Sequence, residues 1–172
     1  MRQVPRKSRA VQEFESHQEM VLHAKKKAMS LLERQDRTEE QLTKKLQEYG
    51  YSEEAVREAV EYVKSFHYID DRRFAENYIR YRQNEKSRQR LKMDLYQKGI
   101  EESIIQEALD AEYEADEKQM VCKLLEKKKY DPKTADGKEK NRLMGYLMRR
   151  GFTLEQIRSG MHEYEAQTSE NT

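Results

Sequence analysis

Asp70 and Asp71 place two carboxyl groups side by side, an arrangement that suits metal binding or acid–base catalysis. A metal site needs further ligands at defined spacing, and no histidine, cysteine or third carboxylate clusters with this pair. An aspartate directly before a helix instead accepts hydrogen bonds from free backbone N–H groups, and one in the first turn interacts favourably with the helix dipole. We therefore predict that Asp70 caps a helix and that Asp71 lies in its first turn.

The other reactive side chains also lack a catalytic arrangement. The histidines are scattered without ligand spacing, at His17, His23, His67 and His162. There is no glycine-rich phosphate loop, and no serine or cysteine has the partners of an activated nucleophile. Cys122 lies among apolar residues, which is typical of a thiol in a hydrophobic core. We expect no catalysis, no metal ion and no cofactor.

Charge alternates in blocks along the second half of the sequence. Arg72–Lys98 contains nine basic and three acidic residues, whereas Glu101–Glu117 contains eight acidic residues and no basic one, and Lys118–Arg150 is again positive. Such blocks predict separate positive and negative zones. The central positive zone is either a solvated face or a surface that attracts DNA phosphate or acidic protein. The candidate partner or nucleic-acid contacts are Arg73, Arg80, Arg82, Lys86, Arg88, Arg90, Lys92, Lys98, Arg149 and Arg150.

Aromatic residues accompany the basic ones. Phe74 and Tyr78 lie at i and i+4, together with Ala75, so they share one helix face, which we expect to be core. One interpretation of Tyr81 and Tyr96 is that their rings stack on nucleic-acid bases. We nevertheless expect most of the 11 tyrosines to bury their rings and leave the hydroxyl group in water.

Composition limits the class of protein. The 172 residues include 35% hydrophobic and 39% charged residues, and 34 basic residues balance 33 acidic ones to a net charge of +1. This balance of sign weakens the self-repulsion that keeps disordered chains open and favours a helical protein with much exposed surface. No apolar run approaches 18 residues and no secretory signal follows Met1, so we expect no membrane association. A single cysteine suits a reducing cytoplasm, which is the expected location.

One short pattern occurs three times. It reads LQEYGYSEEAV at residues 46–56, LYQKGIEESII at 95–105 and LMRRGFTLEQI at 147–157. In each copy, a glycine follows the last apolar turn of a helix, and a capping residue opens the next helix in the first and third copies. A further amphipathic segment precedes each copy. The pattern predicts three helices in roughly 50 residues, a period typical of stacked helical repeats.

We therefore predict an all-α fold: an elongated, curved array of three tandem three-helix repeats. The expected boundaries are a flexible basic N-terminal segment at residues 1–20, repeats at residues 21–68, 69–114 and 115–166, and a polar tail at residues 167–172.

The stretch FHYIDDRRFAENYIRYRQNEKSRQRLKMDLYQKGI, residues 66–100, is the most distinctive of the sequence. It resembles the bacterial RecX family of regulators of the RecA recombinase, and residues 28–63 look like the first unit of that family. The resemblance extends over residues 24–164 and is strongest in the first two units. One departure is Ser87, which occupies a position where the family commonly has glycine after lysine.

The resemblance implies a non-enzymatic protein of the cytoplasm that binds the RecA–DNA filament along its groove. It implies inhibition of strand exchange, ATP hydrolysis and co-protease activity, which tempers the SOS response. Separately, we expect a monomer and consider weak direct binding of single- or double-stranded DNA. Two alternatives remain: a sequence-nonspecific DNA-binding protein and a general helical-repeat scaffold for another protein. We expect charge reversal at Arg88 and Lys92, which share a helix face, to weaken filament binding without unfolding the protein.

Overall fold

The computed structural model describes residues 16–170, and this part of the chain folds into nine α-helices without a β-strand. The all-α prediction is confirmed. The helices are α1 (His17–Leu32), α2 (Glu39–Glu48), α3 (Glu53–Ser65), α4 (Asp71–Arg82), α5 (Arg88–Gln97), α6 (Glu102–Glu112), α7 (Glu117–Lys127), α8 (Gly137–Arg149) and α9 (Leu154–Glu170).

Two helix boundaries differ from the expectation. Residues 1–15 of the predicted flexible segment lie outside the described residues, but residues 17–20 form the first turn of α1, which Ser16 caps by accepting from the Glu19 backbone N–H at 3.2 Å. At the other end, α9 continues through residues predicted to be a polar tail. Within this extension, the Thr168 hydroxyl donates to the Tyr164 carbonyl at 2.8 Å.

The chain divides into two compact units. The first comprises the residues up to Phe74 together with Lys98–Ile100, and the second comprises Ala75–Gln97 and the residues from Glu101 onward. In the first unit, α1 and α2 pack on α3, and the apolar residues at helical spacing form one core that includes Ala28, Leu46 and Val63. These residues are shielded from water because they occupy the inward stripe of each amphipathic helix.

In the second unit, α5 packs on α6, while α7 and α8 pack on α9. Val121, Leu125 and Ile157 belong to the core that holds the last three helices together, and none of them is exposed. Cys122 is buried next to this core and its thiol lies 3.4 Å from the Gly160 carbonyl oxygen, as expected of a core cysteine. Burial raises the pKa of this thiol.

The helix ends follow the repeated pattern. Gly50, Gly99 and Gly151 all have a left-handed φ, between +82° and +90°, which a residue without a Cβ adopts easily. Thr38 forms a capping box with Gln41, and Thr153 forms one with Gln156. The three glycines and the Thr153 cap confirm the predicted helix junctions.

The contacts of Ser87 show what a serine contributes at the position where the family commonly has glycine. The side chain is fully buried, and its Oγ accepts from the Arg90 backbone N–H at 3.2 Å and donates to the Arg150 carbonyl at 3.1 Å. Thr38 is also fully buried and does the same in the first unit, accepting from Gln41 and donating to the Lys98 carbonyl at 2.6 Å. A hydroxyl group therefore caps one helix and satisfies the free carbonyl at the end of another, which glycine cannot do.

Candidate anion-binding cleft

Asp70 and Asp71 have structural roles. Asp70 accepts from the Arg73 backbone N–H at 2.9 Å, which confirms the predicted cap. Asp71 accepts from the backbone N–H of Glu39 at 2.9 Å, so it also caps α2, a contact that the sequence did not indicate. Burial raises the pKa of Asp71. No group of three or more histidine, cysteine or carboxylate side chains suited to a metal ion occurs between residues 16 and 170.

The ten predicted contact residues are divided between the two units. Arg73 and Lys98 belong to the first unit and the other eight to the second. Arg73 donates from Nη2 to the His67 carbonyl at 3.1 Å, and the Lys98 ammonium lies 5.8 Å from the centre of the Phe74 ring. Within their unit, both cations therefore contribute to local structure.

Three of the predicted residues pair with the acidic block of α6. Arg80 makes a two-pronged contact with Glu112, at 3.0 and 2.7 Å, and Lys92 lies 2.7 Å from Glu102. The Lys92 ammonium lowers the pKa of Glu102. The expectation of separate positive and negative zones does not hold for these residues, because opposite charges meet inside the second unit.

Arg88 is the third of these residues. Its guanidinium pairs with Asp110, donates to the Leu109 carbonyl at 3.0 Å and lies 5.8 Å from the centre of the Tyr113 ring. Its backbone N–H donates to Glu117 at 2.7 Å. Hydrogen bonds from Gln106 and Arg88 lower the pKa of Asp110. Arg88 thus fixes the start of α5 to neighbouring elements, and its assignment to a partner surface stays a prediction.

A buried carboxylate organises two other predicted residues. Asp94 is 8% exposed, and its Oδ2 accepts from the Lys86 ammonium at 2.6 Å and from the Tyr78 hydroxyl at 3.2 Å. Its Oδ1 lies 3.1 Å from Arg90 Nε. Burial alone would lower the pKa of Lys86, but the hydrogen bonds to Asp94 and Tyr78 outweigh it and raise that pKa, so Lys86 is charged at neutral pH. A buried carboxylate that accepts several hydrogen bonds in this way restricts the geometry of its partners.

Lys86 and Arg90 face a cleft of about 650 Å³ in the second unit. Arg149 and Arg150 from the end of α8 line the same cleft, so the structure brings together four of the ten predicted residues. The Arg150 guanidinium lies 4.8 Å from the centre of the Tyr146 ring. Arg82, in contrast, is occupied by an ion pair with Glu85 at 2.9 Å.

The cleft also contains two lysines that the sequence analysis did not single out. Lys123 and Lys127 lie four residues apart on α7, and the apolar side chains of Met120 and Leu124 line the wall between them and the core. Their spacing at i, i+3, i+4 and i+7 places all four on one helix face, a signal present in the sequence. Among the described residues, no carboxylate forms an ion pair with Lys123, Lys127 or Arg149.

The tyrosines only partly follow the expectation. Tyr130 is 3% exposed, whereas Tyr81 and Tyr96 are 78% and 69% exposed, so these two rings are accessible, while most of the other tyrosines are at least partly buried. Phe74 and Tyr78 are half-buried and Ala75 is fully buried, which agrees with the predicted core face. None of the helices in the described part of the chain is both long and apolar enough to span a bilayer.

The fold and the cleft define an all-helical protein of three-helix units with a cationic surface. The family models for the first, second and third three-helix domains of RecX match residues 24–62, 70–109 and 115–161. The chain belongs to the RecX family.

Individual curated proteins that are similar to this chain support the same family assignment. A protein of Clostridium acetobutylicum named "Regulatory protein RecX" is 32% identical over 142 residues, which are 79% of this chain and 66% of that protein. One of Vibrio parahaemolyticus with the same name is 31% identical over 84% of this chain and 93% of that protein. The chain thus spans just under two thirds of the length of some curated relatives.

The fold is also shared with solved structures. The crystal structure of RecX from Lactobacillus salivarius superimposes with a TM-score of 0.72 over 86% of this chain and 97% of that one, at 23% identity. A second crystal structure, described as regulatory protein RecX, superimposes with a TM-score of 0.70 at 26% identity, over 82% of this chain and 71% of that one. The prediction of three-helix repeats is confirmed by these matches.

Proposed function

We propose that this protein binds the filament that the RecA recombinase forms on DNA and lowers the filament's ATP hydrolysis, strand exchange and co-protease activity. It acts as a monomer in the cytoplasm, catalyses no reaction of its own, and tempers the SOS response to DNA damage. The observation that carries the proposal is membership of the RecX family, whose curated relatives are named regulatory proteins.

The cleft supplies the physical support for a polyanionic partner. A nucleoprotein filament presents DNA phosphates and acidic side chains, and clustered cations attract both. Arg90, Arg149 and Arg150 offer planar guanidinium groups that bind phosphate or carboxylate oxygens in pairs. Of the ten predicted residues, we assign the main contacts to the four that line the cleft. Arg80, Arg82, Arg88 and Lys92 do not line the cleft, and each pairs with an acidic residue outside it or at its edge.

The test is binding of labelled protein to RecA filaments assembled on single-stranded DNA. A Lys127→Glu/Arg149→Glu variant reverses two cleft cations and is expected to bind at least tenfold more weakly than the wild type. A matched control, Lys118→Glu/Lys138→Glu, makes the same change of net charge at exposed residues of α7 and α8 outside the cleft. Equal affinity of the cleft variant and the control would remove the cleft from the proposal.

Direct DNA binding is the second candidate, and the unpaired cations of the cleft favour it. Affinity for naked duplex would then fall with salt, each phosphate contact contributing a slope of about −0.9 in log K against log salt concentration. If binding to naked DNA is lost at physiological salt while filament binding persists, the recombinase filament is the partner. Equal persistence of both would favour a general DNA-binding protein.

A further inference from the structure

The cleft of the second unit gathers more positive charge than its own residues neutralise. Its lining contributes six cations, namely Lys86, Arg90, Lys123, Lys127, Arg149 and Arg150. Glu85 is the acidic residue of the lining, and it is paired with Arg82 at 2.9 Å. Asp94 pairs with Lys86 and Arg90, but one carboxylate does not balance six cations, and the remaining like charges repel each other, so this arrangement costs stability unless a ligand offsets it.

Two of these cations are held in place before any ligand arrives. The buried carboxylate of Asp94 holds the Lys86 ammonium, which lies 2.6 Å from its Oδ2, and Arg90 Nε, which lies 3.1 Å from its Oδ1. The hydrogen bond from Ser87 to the Arg150 carbonyl anchors the backbone at the end of α8. Donors that are already oriented lose little conformational entropy on binding, which favours affinity.

The volume of the cleft matches that of a small-molecule site. Its volume of about 650 Å³ lies within the range of roughly 300–1,000 Å³ typical of ligand pockets. Met120 and Leu124 add an apolar wall beside the cations. Cations from α5, α7 and the end of α8 line the cleft together, and two or three adjacent phosphates offer more charge and more oxygen atoms for them than a single phosphate group.

We propose that this cleft is a binding site for a small ligand that carries two or more adjacent phosphate groups. The shared chemistry is the oligophosphate, and its sources are a nucleoside di- or triphosphate and inorganic polyphosphate. With a nucleotide, the phosphates contact the cations and the base or sugar packs on Met120 and Leu124. The proposal goes beyond the proposed function, because it requires neither a recombinase nor DNA.

Sodium tripolyphosphate is the first probe, titrated into the full chain by calorimetry in a magnesium-free buffer. The wild type is expected to bind one equivalent saturably. The Lys127→Glu/Arg149→Glu variant is expected to bind at least tenfold more weakly, and the Lys118→Glu/Lys138→Glu control within twofold of the wild type. Absence of saturable binding up to millimolar ligand, or equal weakening in the control, would overturn the proposal in favour of a diffuse electrostatic effect.

A second readout does not depend on the variants. In ¹⁵N spectra of the wild type, tripolyphosphate is expected to shift amide signals of the cleft residues on α5, α7 and the end of α8, while signals of the first unit stay in place. Shifts spread over both units would contradict a discrete site.

Two further probes identify the source of the phosphates. ATP that binds several-fold more tightly than tripolyphosphate, with the excess lost on Leu124→Ala, supports a nucleotide, whereas equal affinities support inorganic polyphosphate. Binding of a 20-nucleotide single strand without any binding of tripolyphosphate would overturn the small-ligand proposal in favour of nucleic acid. These titrations contain no recombinase, so their failure is distinguishable from failure of the proposed function.

Discussion

Arg88 and Lys92 lie one helical turn apart on α5, yet their contacts differ in kind. Lys92 reaches an exposed carboxylate, Glu102, at 2.7 Å, whereas Arg88 donates to the backbone carbonyl of Leu109 and packs beside Tyr113. A backbone carbonyl that loses its donor has to be satisfied by water, while an exposed ion pair contributes little. The same charge reversal therefore has different consequences at the two positions.

We predict that Arg88→Ala lowers the free energy of unfolding by about 1.5–3 kcal/mol, the range for a hydrogen bond that involves a charged group. Lys92→Ala is expected to cause a smaller loss. Urea denaturation of both variants at neutral pH measures the difference. Equal stabilities would show that Arg88 is a surface residue after all, as the sequence first suggested.

The sequence was informative about residues whose roles are local. Asp70 as a cap, Cys122 as a core thiol and the glycines at helix ends all follow from neighbours within a few positions. The pairing of Arg88 with α6 and the second role of Asp71 at the start of α2 join residues 22 and 32 positions apart. Such contacts depend on how helices pack, and a single sequence does not specify that packing.

At the scale of the elements, the three copies of the repeated pattern are not equivalent. A Cβ on Gly50 would meet no atom within 4 Å, whereas one on Gly151 would lie 2.5 Å from Ser87 Oγ and 3.0 Å from the Arg90 backbone nitrogen. The two glycines have nearly the same φ, +87° and +90°. The backbone strain of an alanine would therefore be about the same at both positions. The two positions differ in how closely atoms of a neighbouring segment approach the added Cβ.

We predict that Gly50→Ala costs about 1–2 kcal/mol, from the left-handed backbone alone. Gly151→Ala is expected to cost about 1–3 kcal/mol more, because the added methyl group forces apart the hydroxyl and backbone atoms next to it. Thermal or urea unfolding of the two variants provides the comparison. An equal cost at both positions would contradict this prediction and would show that Ser87 and Arg90 move aside without a measurable loss of stability.

The repeats themselves could be predicted from the sequence, because helix ends have local signatures at glycines and capping residues. Ser87 shows the limit. Its spacing to the helix predicts a cap, but its donation to the carbonyl of Arg150, 63 positions away, became visible only in the structure. Lys123 and Lys127 show the same limit, since their spacing puts them on one face without indicating that Arg149 and Arg150 meet them.

At the scale of the whole molecule, charge is distributed inside the second unit rather than between separate zones. The acidic block of α6 neutralises basic residues of α4 and α5, and the cations of α7 and the end of α8 remain available at the cleft. A net charge of +1 is thus compatible with a locally cationic surface. This distribution supports a protein that recognises a polyanionic assembly at one surface.

ATP hydrolysis by RecA on single-stranded DNA, measured while this protein is titrated in, tests the central claim most directly. We predict that hydrolysis falls progressively and is suppressed at amounts equal to or below those of the recombinase, and that Lys127→Glu/Arg149→Glu inhibits less than the Lys118→Glu/Lys138→Glu control. Hydrolysis that stays unchanged over a wide titration would contradict the account.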